Sequence, residues 1–212
     1  MKIKKLGHCC LIVEPKDDIR IMTDPGSFST TQTQEKDISA VVITHEHADH
    51  LHIDSLKKVL ENNPNAIVIT NTAVGKLLKE VDIPFIKVEE GESYDLDGIQ
   101  ISGFGNTHAE IYGDYGQVQN TGYMIDNLCY PGDAFHMPNI DVDILALPVA
   151  GPWMRIKDAI DYGKKVKPRI AFPVHDAILS EVATFVPKIT GYFLREDGIE
   201  FKILEIGKEE EV

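Results

Sequence analysis

Ala40-Val41-Val42-Ile43-Thr44-His45-Glu46-His47-Ala48-Asp49-His50 is the stretch that decides the fold. Its first five residues are a short apolar, β-branched run of the kind that forms a buried strand. The next six hold four metal-ligand side chains, His45, His47, Asp49 and His50, with Glu46 between them. Extended geometry at positions i and i+2 points the imidazoles of His45 and His47 to the same side. The chain must then turn, which makes Asp49 and His50 available to a neighbouring position. A hydrophilic loop would explain a bare His-x-His. Four ligands at the end of a buried strand are too costly in polarity without compensation, and a metal ion supplies it, because neutral imidazole and carboxylate are natural ligands for zinc and its neighbours. The helical zinc-protease pattern His-Glu-x-x-His is absent: His47 directly follows Glu46.

Outward from this block, the chain reads as short apolar strands punctuated by helices. Strands are expected at 3–6, 10–14, 19–23, 40–44, 66–70, 84–88, 99–104, 121–125, 127–130, 142–149, 170–174 and 199–204. A turn is expected at 15–18, and helices at 51–62, 72–81, 156–166 and 180–189. Glu209-Glu210-Glu211 reads as a frayed acidic tail, and no fixed-period repeat stands out. Strands dominate early and alternate with helices later, which implies a layered α/β (α+β) domain. His108 and His175 share the setting of His45, His47 and His50: each follows an apolar strand, where a rigid scaffold presents functional side chains.

Bulk composition narrows the function classes. The 212 residues suffice for one domain with a substantial core, expected to span 1–212. A formal net charge of -13 argues against a general binder of nucleic-acid backbone, which draws on clustered Lys and Arg. The three cysteines, Cys9, Cys10 and Cys129, make a poor disulfide framework and read as small buried hydrophobes in a reducing compartment. Residues 1–6 lack the apolar core of a signal peptide, and no segment approaches the roughly 20 apolar residues of a membrane span. The expectation is a cytoplasmic protein without membrane insertion, acting on a small-molecule substrate; a homo-oligomer is compatible with the sequence.

Five pieces in order make the chain resemble the metallo-β-lactamase superfamily. They are Asp24 in Thr-Asp-Pro, the block at 45–50, His108 in Gly-Asn-Thr-His-Ala, Asp133 in Tyr-Pro-Gly-Asp-Ala, and His175 in Phe-Pro-Val-His-Asp. The resemblance covers roughly 3–205 and implies a four-layer αββα sandwich with the site along one sheet edge. It implies two divalent metal ions, with zinc first and manganese or iron as alternatives. His45, His47 and His108 would hold one ion, Asp49, His50 and His175 the other, and Asp133 both; Asp24 would orient a ligand. A hydroxide between ions ~3.5–4 Å apart would be the nucleophile. Leu6-Gly7-His8, Thr23-Asp24-Pro25, Leu147-Pro148-Val149 and Gly151-Pro152-Trp153 make the chain most similar to the L-ascorbate-6-phosphate-lactonase-like group, which is related to N-acyl-phosphatidylethanolamine phospholipase D.

The implied activity is metal-dependent hydrolysis of a small ester, lactone or phosphodiester. A metal-dependent nuclease and a non-catalytic metal-binding protein are the alternatives. Asp49, Asp133 and His136 form the expected catalytic set, with His136 a candidate general acid because an ordinary imidazole titrates near neutrality. His8 is a candidate substrate contact or a structural histidine. Trp153 and Met154 are candidate pocket walls, and His52, Glu46 and Asp176 have expected solvated or supporting roles.

Overall fold

The computed structural model describes residues 1–29 and 31–212. Two seven-stranded sheets lie face to face. The first contains β1 (Lys2–Lys5), β2 (Leu11–Lys16), β3 (Ile19–Thr23), β4 (Ala40–Val42), β5 (Ile67–Thr70) and β6 (Ile86–Lys87). The second contains β7 (Ser93–Leu96), β8 (Ile99–Phe104), β9 (Gly122–Ile125), β10 (Leu128–Tyr130), β11 (Ile144–Pro148), β12 (Ile170–Val174) and β13 (Glu200–Phe201). A last strand, β14 (Glu209–Glu211), returns to the first sheet beside β1.

The strands alternate inward and outward side chains, so each sheet buries both faces. Ile3, Leu11, Val13, Ile21, Val42 and Ile69 of the first sheet meet Ile101, Tyr123, Ile125, Tyr130, Ile144 and Phe172 of the second in a shared core. The opposite face of the first sheet is covered by α1 (Ile53–Asn62) and α2 (Thr72–Glu80), through Leu56, Val59, Val74 and Leu78. That of the second is covered by α3 (Ile156–Val166) and α4 (Phe185–Glu196), through Ala159, Tyr162 and Leu194. The result is the four-layer αββα sandwich that the resemblance implies.

Both sheets run through the same sequence of pairings. From β14 to β3 and from β7 to β10 the neighbours are antiparallel; from β3 to β6 and from β10 to β13 they are parallel. Asp24 therefore follows the first parallel strand of one sheet and Asp133 that of the other. No repeat is visible in the sequence because topology, not residue identity, is what recurs.

Four expectations are corrected. The tail at 209–211 is a paired strand: Lys4 faces Glu209 and Lys2 faces Glu211, so its acidity complements a basic neighbour. β7 was not anticipated, since Ser93-Tyr94-Asp95-Leu96 is polar and lies at an edge, yet Asp97-Gly98 (φ 51° and 91°) is the two-residue turn that announces a hairpin. The last helix starts at Phe185 and not Ser180; residues 181–183 form a single 3-10 turn, and Pro187 sits in the first helical turn, where no amide is needed. β2 continues through Pro15, moving the turn to 17–18. Among the described residues, no helix is long and apolar enough to cross a membrane.

Candidate metal centre

The site lies where strand ends from both sheets converge. Asp24 follows β3, residues 45–50 follow β4, His108 follows β8, Asp133 follows β10, Trp153 follows β11 and His175 follows β12. Close backbone contact fixes the first two loops against each other. Ser27 N–H donates to the Ala48 carbonyl at 2.8 Å, and a Cβ on Gly26 would lie 1.8 Å from the Asp49 carbonyl oxygen. Gly26 is thus required for the loop after β3 to rest on the ligand block.

Donor atoms of His45, His47, His108 and Asp133 all lie within 4.8 Å of one another, as do those of His8, Cys9, His50 and His175. Asp133 stands between the groups: its Oδ2 is 3.4 Å from His108 Nε2 and 2.9 Å from His175 Nε2, and its Oδ1 is 3.1 Å from His50 Nε2. Asp49 Oδ2 lies 3.6 Å from His175 Nε2 and 3.9 Å from His50 Nε2. All seven expected ligands are therefore gathered at one place. Cys9 was not anticipated there, and His8, a candidate substrate contact or structural histidine, stands among the donors of the second group.

The protein anchors the outer face of these rings and leaves the inner face bare. Asp24 is fully buried and accepts from Thr44 N–H (2.8 Å), Thr44 Oγ1 (2.8 Å), the Tyr130 hydroxyl (2.6 Å) and His50 Nδ1 (2.7 Å). With its own proton given to Asp24, Thr44 Oγ1 accepts from His45 Nδ1 at 2.9 Å. One carboxylate thereby fixes the tautomers of two histidines, one in each group. His108 Nδ1 donates to the Ala109 carbonyl at 2.6 Å. Their Nε2 atoms, together with His175 Nε2 and Asp133 Oδ1, are buried without a hydrogen-bond partner. Such a concentration of buried, unsatisfied polar atoms is costly. Divalent cations would satisfy it, and the imidazole and carboxylate donor set fits them.

Charge follows the same plan. Burial and neighbouring His50 hold the His45 pKa well below the ordinary value, and burial and His108 lower that of His47. Burial opposes the ionised forms of Asp133 and Asp49, but neighbouring imidazoles outweigh it. Asp133 ends well below the usual carboxylate value, through His50 and His175, and Asp49 is lowered to about 2, through His8 and His50. Burial also pushes the Cys9 thiol up to about 11, which keeps it a neutral neighbour of His50.

Residues 2–175 match a family model described as a beta-lactamase superfamily domain. The chain belongs to the metallo-β-lactamase superfamily. Rv0786c of Mycobacterium tuberculosis is 34% identical over 186 residues, which cover 85% of this chain and 86% of that protein. The UPF0173 metal-dependent hydrolase Ta0764 of Thermoplasma acidophilum is 25% identical over 82% of this chain and 83% of its own. Among solved structures, the metallo hydrolase Igni18 of Ignicoccus hospitalis superposes with a TM-score of 0.78 at 22% identity, covering 98% and 96% of the two chains.

Within this metallo-β-lactamase fold, three supporting side chains carry tasks that the sequence did not disclose. Trp153 is buried, and its Nε1 donates to Asp133 Oδ2 at 2.9 Å, so it orients that carboxylate and does not merely wall a pocket. Asn120 accepts from Asp133 N–H at 3.0 Å, and Tyr130 binds Asp24. No motif announces these contacts, since they join residues distant in sequence. His136, the candidate general acid, stands beside Thr107. Its Nε2 faces the Thr107 carbonyl at 2.9 Å and hydroxyl at 3.3 Å, which ties the Asp133 loop to the His108 loop. His52 is exposed and pairs with Ser55, Glu46 is half-buried, and Met154 packs against the second sheet's outer core.

Proposed function

We propose that this chain is a metal-dependent hydrolase that binds two divalent ions, zinc first among them, and cleaves a small ester, lactone or phosphodiester. The observation that carries this reading is the set of buried imidazole nitrogens, left without partners, that converges on Asp133. His45, His47 and His108 would hold one ion and Asp49, His50 and His175 the other, with Asp133 shared. Ions bound there would lower the pKa of a bound water and polarise the substrate oxygen. The chain's own part is to hold the donors rigidly: Asp24 orients His50 and His45, and Trp153 fixes Asp133.

A cleft of about 440 Å³ supports a substrate with an apolar arm. Val149, Ala150, Pro152, Met154, Ile178 and Leu179 line it. Gly151, in the same wall, approaches Trp153 so closely that a Cβ there would lie 2.7 Å from Nε1, the atom that binds Asp133. Gly151 thus packs in the cleft wall against the side chain that holds Asp133. Net charge of -13 repels long polyanions, which favours a small substrate over nucleic acid.

The test is hydrolysis of a panel of lactones, carboxylic esters and phosphodiesters of graded apolar chain length, with the protein loaded with zinc, manganese or iron. Chelator-sensitive turnover that improves with chain length is expected. Metal-dependent cleavage of RNA with tight RNA binding would favour the nuclease reading, and metal binding without turnover the non-catalytic one.

A further inference from the structure

The donor atoms near His50 and His175 include His8 Nε2, so proximity alone would count His8 as a ligand. The way its ring is tied down says otherwise. A neutral histidine that binds a metal through Nε2 keeps its lone pair there and carries its proton on Nδ1. His45, His50 and His108 meet that condition, because each Nδ1 faces an acceptor. At His8 the polarity is reversed. The Ala177 backbone N–H donates to His8 Nδ1 at 3.2 Å. A nitrogen that accepts a hydrogen bond has no proton, so the single proton of this ring sits on Nε2.

That N–H is completely buried, has no aligned hydrogen-bond partner, and lies 3.3 Å from Asp49 Oδ2. The segment that sets its tautomer is itself firmly held. His175 N–H donates to the His8 carbonyl at 3.0 Å, so residues 175–177 grip both backbone and ring of His8. The buried Lys5 ammonium binds both Asp176 oxygens at 2.7 Å and the Pro173 carbonyl at 2.9 Å, which clamps the same segment from below. His175 turns through φ 60° at this point, a conformation that needs such support.

We infer that His8 is a positioning residue and not a metal ligand: its Nε2–H lies 3.3 Å from Asp49 Oδ2 and would steady that carboxylate when Asp49 turns its lone pairs to the second ion. A carboxylate oxygen has two lone pairs, enough for one N–H and one cation. The assignment deepens the two-ion reading and rests on it only for the role of Asp49; the tautomer stands without any ion.

Long-range proton–nitrogen NMR of ¹⁵N-labelled protein, metal-free and loaded with ¹¹³Cd, tests it. His8 should show a protonated Nε2 and a bare Nδ1 in both states. Cadmium couplings should reach nitrogens of His45, His47, His50, His108 and His175 but not His8. A cadmium coupling to His8, or a proton on its Nδ1, would overturn the assignment. Failure of cadmium to bind would count against the metal centre instead, leaving the metal-free tautomer to decide His8. Two variants supply the second arm. His8→Gln keeps an N–H near the Nε2 position and should hold the second ion within a few-fold of wild type; His8→Ala should weaken it roughly 10-fold, within the range for groups that orient ligands. Both should still bind two ions. A fall to one ion in His8→Gln would make His8 a ligand.

Discussion

At the scale of single residues, Asp133 and Asp24 carry the account. Asp133 approaches nitrogens of both groups, so Asp133→Ala should weaken both ions, whereas His45→Ala should mainly weaken one. Metal-to-protein ratios after dialysis distinguish these outcomes. Asp24 touches His50 directly and His45 through Thr44. Asp24→Asn should therefore lower affinity at both positions by roughly 10–100-fold. A titration in which only one position weakens would confine Asp24 to His50. The ligand-bearing block, His108, Asp133 and His175 were legible in sequence because metal chemistry restricts which residue types can serve. Thr44, Tyr130 and Asn120 were not, nor was the contact of Trp153 with Asp133. A hydroxyl, amide or indole fits many environments, and only the fold shows what each one touches.

At the scale of elements, strands and helices with strong apolar periodicity were legible, and two polar edge strands were not. β4, β11 and β12 read directly as apolar runs, and α1 to α3 as amphipathic spacing. β7 and β14 escaped because an edge strand needs no continuous apolar run. The pairing of β14 with β1 predicts that removing residues 208–212 lowers the melting temperature by several degrees while two ions still bind. Calorimetry with metal analysis would check both parts, and an unchanged melting temperature would restore the view of a frayed tail. A second element-scale prediction concerns the start of α2. Glu89 accepts from Thr72 N–H at 2.8 Å and from Gln119 at 2.9 Å, and its pKa is lowered to about 2 by the contacts with Thr72 and Gln119, against opposition from burial. An unfolded glutamate titrates near ~4.3. The ionised form is thus favoured by the fold, and its stabilisation is complete above the unfolded value and lost as pH falls through about 2. Glu89→Gln should cost about 1 kcal/mol at pH 7, the scale of a helix cap. Urea titrations from pH 7 downward should show that difference shrinking below pH ~4.5; a difference independent of pH would remove the cap from the account.

At the scale of the whole molecule, two sheets of the same pairing order bring their strand ends to one edge, and the site is assembled from both. That explains why the ligands are scattered from residue 45 to residue 175 yet converge on one carboxylate. Sequence order announced this convergence through the family resemblance; physical patterning alone stops at a layered α/β class. The net charge of -13 would repel a long polyanion, and ions bound at the site would make it locally cationic toward a small substrate. Everything in this scheme depends on ions occupying the space between the bare nitrogens. The most direct test is elemental analysis combined with calorimetric titration of chelator-stripped protein with zinc. The account predicts two ions per chain, with Asp133→Ala weakening both; a stripped wild-type chain that takes up no divalent metal would contradict it.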